Sequence, residues 1–150
     1  MVAGNWRLIL SVRCSPFTVR RSLVTGHTKA GLMPSNRPHY KLEAWKEAMA
    51  LVSATYRVTQ GFPKEELYGL SSQLRRSAVS IPSNLAEGAA RQGPKEFAQF
   101  LNIGMGSISE LETQLLIAVD LGYLPKDAPV FALLEQTSRL INGLQKHVRS

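Results

Sequence analysis

The chain has 150 residues, of which 44% are hydrophobic and 19% charged, with a formal net charge of +7. That length sets one domain with a core of useful size, and no apolar run approaches the ~20 residues needed to span a bilayer. A single cysteine, Cys14, excludes a disulfide framework and fits a reducing compartment.

The positive charge is unevenly distributed. Residues 1–38 carry six basic residues (Arg7, Arg13, Arg20, Arg21, Lys29, Arg37) and no acidic one, which leaves twelve basic against eleven acidic in 39–150, a net of +1. Electrostatics alone therefore do not make the second part a nucleic-acid binder. The first part, read as a basic, disordered extension, fits three descriptions. Its Arg-rich, Ser/Thr-rich, acid-free composition is that of an organellar transit peptide. It also suits a basic arm that grips phosphates. Alternatively the natural start is Met33, with Met33-Pro-Ser-Asn-Arg-Pro-His39 as a polar lead-in to the first helix. A secretory signal is not expected, because Leu8-Ile-Leu10 is too short an apolar centre and Arg13 interrupts it.

From Leu42 onward, helical periodicity predicts four helices and no strand. The first covers Leu42 to Thr59, with Trp45, Met49, Val52 and Tyr56 spaced as one apolar face. Gly61-Phe62-Pro63 stops it. Lys64-Glu65-Glu66 then opens the second, its acidic side chains favoured by the helix dipole. This helix carries Leu67, Leu70, Leu74, Ala78, Ile81 and Leu85 and ends near Gly88 to Ala90. Pro82 lies inside it. Either the helix kinks there, or it divides with Asn84 capping a new segment; the unbroken apolar phase favours the kink, with Ser77, Ser80 and Ser83 available to the freed carbonyls.

Gly93-Pro94 starts the third helix with proline at a first-turn position. Phe97, Leu101, Gly104, Ile108, Leu111, Leu115 and Ala118 keep its apolar register. No charged residue falls between Phe97 and Ser109, and Leu115 to Val119 is apolar on every side, so burial on more than one side is expected. That surplus points to a subunit interface, with Phe100, Ile103, Leu116 and Val119 as its candidates and Gly104, Gly106 and Ser107 permitting close approach. Leu121-Gly122 closes the helix. Asp127 is placed to cap a fourth, which carries Val130, Leu133, Leu134, Ile141, Leu144 and Val148. Short connections make successive helices antiparallel, so the expected fold is all-α, an up-down-up-down four-helix bundle over residues 39–150.

Chemistry is harder to find. No glutamate has a histidine three residues on, as a di-iron bundle requires, and His27, His39 and His147 are dispersed, so no metal or other cofactor is expected. No Ser/His/Asp arrangement suggests a nucleophile, and Gly104-x-Gly106 lacks the strand and third glycine of a nucleotide loop. Glu87, Glu110 and Glu112 with Arg75 and Arg76 are the remaining candidates for acid–base or ligand chemistry. Inward Glu and Arg in a bundle more often pair across helices, and that is the reading preferred here. The bundle's own cations fall in two groups: Arg75, Arg76, Arg91 and Lys95 on the second helix and the turn after it, and Arg139, Lys146 and Arg149 along one side of the last. Dispersed charges of this kind ordinarily form a solvated face, and no interleaved aromatics suggest base stacking.

Several segments in fixed order carry a family resemblance: Gln73-Leu-Arg-Arg-Ser-Ala-x-Ser-Ile-Pro-Ser-Asn-Leu-Ala-Glu-Gly88, Phe97-x-x-Phe-Leu101 and Gly106-Ser-Ile-Ser-Glu-Leu-Glu-Thr-Gln114, with Phe62-Pro-x-Glu65 and Leu121-Gly-Tyr-Leu124. Over about residues 40–125 the chain resembles the bacterial four-helix bundle family encoded in intervening sequences of 23S ribosomal RNA genes. The resemblance implies a cytoplasmic bacterial protein, a homopentamer without enzyme activity. A related branch, the accessory variability determinant of diversity-generating retroelements, is a basic pentameric barrel that binds nucleic acid and a reverse transcriptase. This chain departs from that branch in charge, since a +1 core gives only about +5 per pentamer.

Three functional expectations follow. The first is a non-enzymatic oligomeric adaptor that contacts RNA or DNA through Arg75, Arg76, Arg91 and Lys95. The second is a ring that docks a partner protein without binding nucleic acid. The third, an enzyme or small-ligand binder using Glu87, Glu110 and Arg76, is the weakest.

Overall fold

The computed structural model describes residues 36–149, so the sequence readings of the basic extension lie almost wholly outside the described residues. Among those residues are four α-helices and no strand: α1 (Glu43–Thr59), α2 (Leu70–Ala89), α3 (Pro94–Asp120) and α4 (Pro129–Arg149), with short 3₁₀ turns at Pro38–Lys41 and Lys64–Leu67. α3, with 27 residues, is the longest. No helix among them is long and apolar enough to cross a membrane.

α2 packs on α1 and α3, α4 packs on the same two, and the diagonal pairs stay apart, so the core lies between all four. Leu51, Leu74, Ile81, Leu85, Leu101, Leu111, Leu115 and Ile141 are fully buried there. Burying each such side chain is worth on the order of 2 kcal/mol. Every buried side-chain nitrogen or oxygen among the described residues has a partner. The buried threonines bond to their own helices: Thr55 Oγ1 donates to the Leu51 carbonyl at 2.9 Å and Thr137 Oγ1 to that of Leu133 at 2.7 Å.

Local signals account for most boundaries. Pro94 occupies the first turn of α3 after Gly93. Gly122, at φ 75°, ends α3 in a Schellman motif: its N–H donates to the Val119 carbonyl and that of Tyr123 to Ala118. α4 begins at Pro129, which puts Ala128, and not Asp127, directly before it.

Two local expectations are corrected. Lys64–Leu67 forms a separate 3₁₀ turn, and α2 starts only at Leu70, because Gly69, at ψ −122°, leaves helical geometry. Glu66 still serves that terminus, its carboxylate accepting the Leu70 N–H at 2.9 Å. The face that α1 turns to the core is also not the one expected. Ala44, Ala48, Leu51, Thr55 and Thr59 are buried, whereas Trp45 and Val52 are half-buried and Met49 and Tyr56 exposed. Small residues let α1 approach its neighbours, and the bulky stripe is left along the rim.

Within the chain, α2 and α3 run in opposite directions. Ser77 Oγ donates to Gln114 Oε1 at 2.8 Å and Ser80 Oγ pairs with Ser107 Oγ at 2.9 Å, while Gly88 packs against Phe97 and Phe100. α2 continues unbroken through the buried Pro82, with Ser83 Oγ and Asn84 Nδ2 donating to the carbonyls of Val79 and Ser80, both at 2.8 Å. Contacts also gather the start of α1, the end of α2, the start of α3 and the end of α4 at one end of the helices. Leu42, Glu43 and Ala44 line one groove with Gly143, Leu144 and His147, and Asn102 Oδ1 accepts from Gln145 Nε2 and Arg149 Nη2.

Candidate functional site

The four candidate nucleic-acid residues separate into two pairs. Arg75 and Arg76 lie in the first two turns of α2, whereas Arg91 follows its end and Lys95 stands in the first turn of α3. At 1.5 Å per residue, roughly 20 Å of helix separates the pairs.

Arg75 is half-buried and engaged inside the chain. Its Nε donates to Thr59 Oγ1 at 2.9 Å, and its guanidinium lies 5.0 Å over the Tyr56 ring. Arg76 is exposed and, among the described residues, bonded only to the Gln73 side chain. Arg91 forms an exposed ion pair with Glu87 at 2.7 Å and lies 5.1 Å over the Phe100 ring. Such a pair stabilises little, so Arg91 keeps most of its charge available. Lys95 makes no ion pair among the described residues. It lines an open groove of about 530 Å³ with Pro94, Ala98, Val148 and Arg149.

The wider charge pattern follows the same division. The end holding Arg91 and Lys95 also gathers Arg37, Lys41, Lys46, Lys146 and Arg149 against Glu43, Glu47, Glu87 and Glu96, seven cations to four carboxylates. The opposite end is acidic. Glu65, Glu66, Glu110, Glu112, Asp120, Asp127 and Glu135 there outnumber Arg57, Lys64, Arg75, Arg76 and Lys126 by seven to five, and Arg139, paired with Glu135, lies between the two ends.

The carboxylates proposed for ligand chemistry do not converge. Glu87 is exposed and paired with Arg91, and Glu110 is exposed and accepts from Gln114 Nε2 at 3.0 Å. Neither points into the core. Among the described residues no group of three or more His, Asp, Glu or Cys side chains is placed to hold a metal.

The four candidate interface residues do not share a face. Phe100 is half-buried over Gly88, and Val119 packs on the core, whereas Ile103 and Leu116 are exposed. At about 100° per residue, Leu116 stands some 140° around α3 from Ile103. The stripe that does face outward is Ile103, Glu110, Ile117 and Leu121. Gly104 and Ser107 face α2 within the same chain, while Gly106 has nothing within 4 Å of the place its Cβ would take.

Sequence reasoning missed two features. Gly88 is a packing position, since a Cβ there would fall 2.7 Å from Phe100 Cβ. The signal was present in the pairing of Gly88 with an aromatic-rich turn, Phe97 to Phe100. The second is a groove of about 260 Å³ between α1 and α2, lined by Trp45, Met49, Val52, Val79, Pro82 and Ala86 with His39 and Ser83.

The chain matches the family described as 23S rRNA-intervening sequence protein over residues 40–145. It belongs to that family. The match to the 23S rRNA-intervening sequence protein family spans all four helices except the last turn of α4, and with them every cation of the candidate site but Arg37, Lys146 and Arg149. Among curated proteins, none matches this family member.

Proposed function

We propose that this protein of the 23S rRNA-intervening sequence family is a non-enzymatic oligomeric adaptor that contacts RNA or DNA through the basic end of the bundle. The observation that carries the reading is the gathering of seven cations at one end, with Lys95, free of ion pairs among the described residues, beside Arg149. Clustered cations bind phosphates with an affinity that falls steeply with salt, because binding releases counterions. Arg91 and Lys95 carry most of the contact in this reading. Arg75, engaged with Thr59 and Tyr56, contributes by holding α2 to α1.

The same reading includes an up-down-up-down topology, a helix kinked near Pro82, a homopentameric ring and a bacterial cytoplasmic setting. The contacts gathered at one end of the helices support the topology, and the lone Cys14 suits the setting. Kinship with the accessory variability determinant of diversity-generating retroelements rests on the shared order of motifs. A second reading, a ring that docks a partner protein and binds no nucleic acid, is favoured by the open apolar groove between α1 and α2.

The test is a fluorescence-anisotropy titration of structured RNA and duplex DNA across a salt series. It compares the full chain, the chain starting at Met33, and Arg91→Gln/Lys95→Gln. The shorter chain should bind, and the double variant should reduce the slope of log K against log salt by about 2. Binding confined to the full chain would move the contact to residues 1–32. Absence of binding by either chain would make protein docking the leading reading.

A further inference from the structure

Among the described residues, a groove and a helix face that combine exposed apolar side chains with opposite charges lie at matching levels. The first is the groove between α1 and α2, whose floor and rim are Trp45, Met49, Val52, Val79, Pro82 and Ala86. Along α1 its lining runs from Trp45 to Val52, about 10 Å, and the exposed Tyr56 stands one turn beyond. The second is the outward stripe of α3, which runs about 21 Å from Ile103 to Ile117. Met49, Tyr56, Val79, Ile103 and Ile117 are each at least 40% exposed.

We infer that the α3 stripe of one copy docks into the α1–α2 groove of a second copy. The inference rests on the oligomeric reading above and adds to it which two surfaces meet. They are different patches on different sides of the bundle, so the contact is heterologous, and repetition closes it into a ring when the rotation permits. Copies related by rotation about an axis parallel to the helices keep their residues at the same level. Within one chain, Ser77 is level with Gln114 and Ser80 with Ser107. Glu110 of one copy therefore arrives at the level of Arg76 and Val79 of the next. Ile117 arrives near Tyr56, and Ile103 near Ala86.

Charge supports the same pairing. Beyond the Val52–Val79 end of the groove lie Arg75, over the Tyr56 ring, and Arg76, one turn before Val79, and the matching half of α3 carries Glu110, Glu112 and Asp120 and no cation. Neither Arg76 nor Glu110 has an ion pair within its own chain among the described residues. Opposite charges at a rim steer and register the contact, while like charges oppose it. Arg76 is thus assigned to the joint between copies and not to phosphate.

The experiment is sedimentation velocity on the full chain, as wild type, Arg76→Glu, Glu110→Arg and the double swap, with far-UV circular dichroism confirming that each is folded. The wild type should be oligomeric, each single swap should weaken assembly at least tenfold in dissociation constant, and the double swap should restore it. An oligomer indifferent to all three variants would overturn this interface and leave the oligomeric reading standing. A wild-type monomer at micromolar concentration would overturn both, and would leave the groove to a different protein.

Discussion

On the side of α2 that meets α3, glycine and short hydroxyl groups close the gap; on the side that meets α1, large side chains leave it open. Toward α3, Gly88 lies under Phe100, Gly104 lies against Leu85, and Ser77, Ser80 and Ser107 bond across or along the seam. Toward α1, Trp45, Met49 and Val52 rest on Val79, Pro82 and Ala86 around a groove of about 260 Å³. The contrast teaches how one helix can serve two purposes. Residues without a Cβ bring backbones together and place buried polar atoms within bonding distance of one another. Bulky residues along the rim of the α1–α2 contact leave apolar surface open.

The comparison predicts unequal responses to small substitutions. The largest effect belongs to Gly88→Ala. Its new methyl meets Phe100 Cβ, an atom that cannot swing away, at 2.7 Å. Overpacking of this kind costs about 1–3 kcal/mol, to be read from a lower urea midpoint at unchanged slope. Ser77→Ala should cost less, about 1 kcal/mol, since it removes the donor to Gln114 Oε1 and leaves that partly buried oxygen unsatisfied. Hydrogen exchange should show the loss concentrated in the middle of α2 and α3. The smallest effect on folding is expected from Met49→Ala, because the side chain is 42% exposed. Less than about 1 kcal/mol should be lost from the concentration-independent part of the stability. The same variant should lower assembly, which would separate the groove's role from that of the seam. An equal loss of folding stability for Met49→Ala and Gly88→Ala would abolish the distinction.

Much of the fold was legible before any coordinates. Gly93-Pro94 and Leu121-Gly122 placed both ends of α3, and Thr59 was the expected last residue of α1. These signals are local: a fixed proline φ, a positive-φ glycine, a break in apolar period. The start of α2 was less legible, because Lys64–Leu67 has helix-forming composition and becomes a separate turn only through the backbone geometry at Gly69. Periodicity also could not choose between adjacent stripes of α1. Trp45-Met49-Val52-Tyr56 is the more hydrophobic by composition, but Ala44-Ala48-Leu51-Thr55 fits the space that α2 and α4 leave.

The candidate site was legible as residue types and not as a place. Arg75 and Arg76 stand side by side with Arg91 and Lys95 in any reading of the basic residues, yet the first pair sits at the acidic end and the second at the basic one. The sequence by itself determined four helices, most of their ends and family membership, because each depends on neighbours a few residues apart or on residues in order. Tertiary structure alone decided which face of α1 is buried, that Gly88 is a contact and not merely a terminus, and how the charges divide between the ends. Those outcomes depend on pairs such as Ser77 with Gln114 and Asn102 with Gln145, which are brought together only when the helices pack.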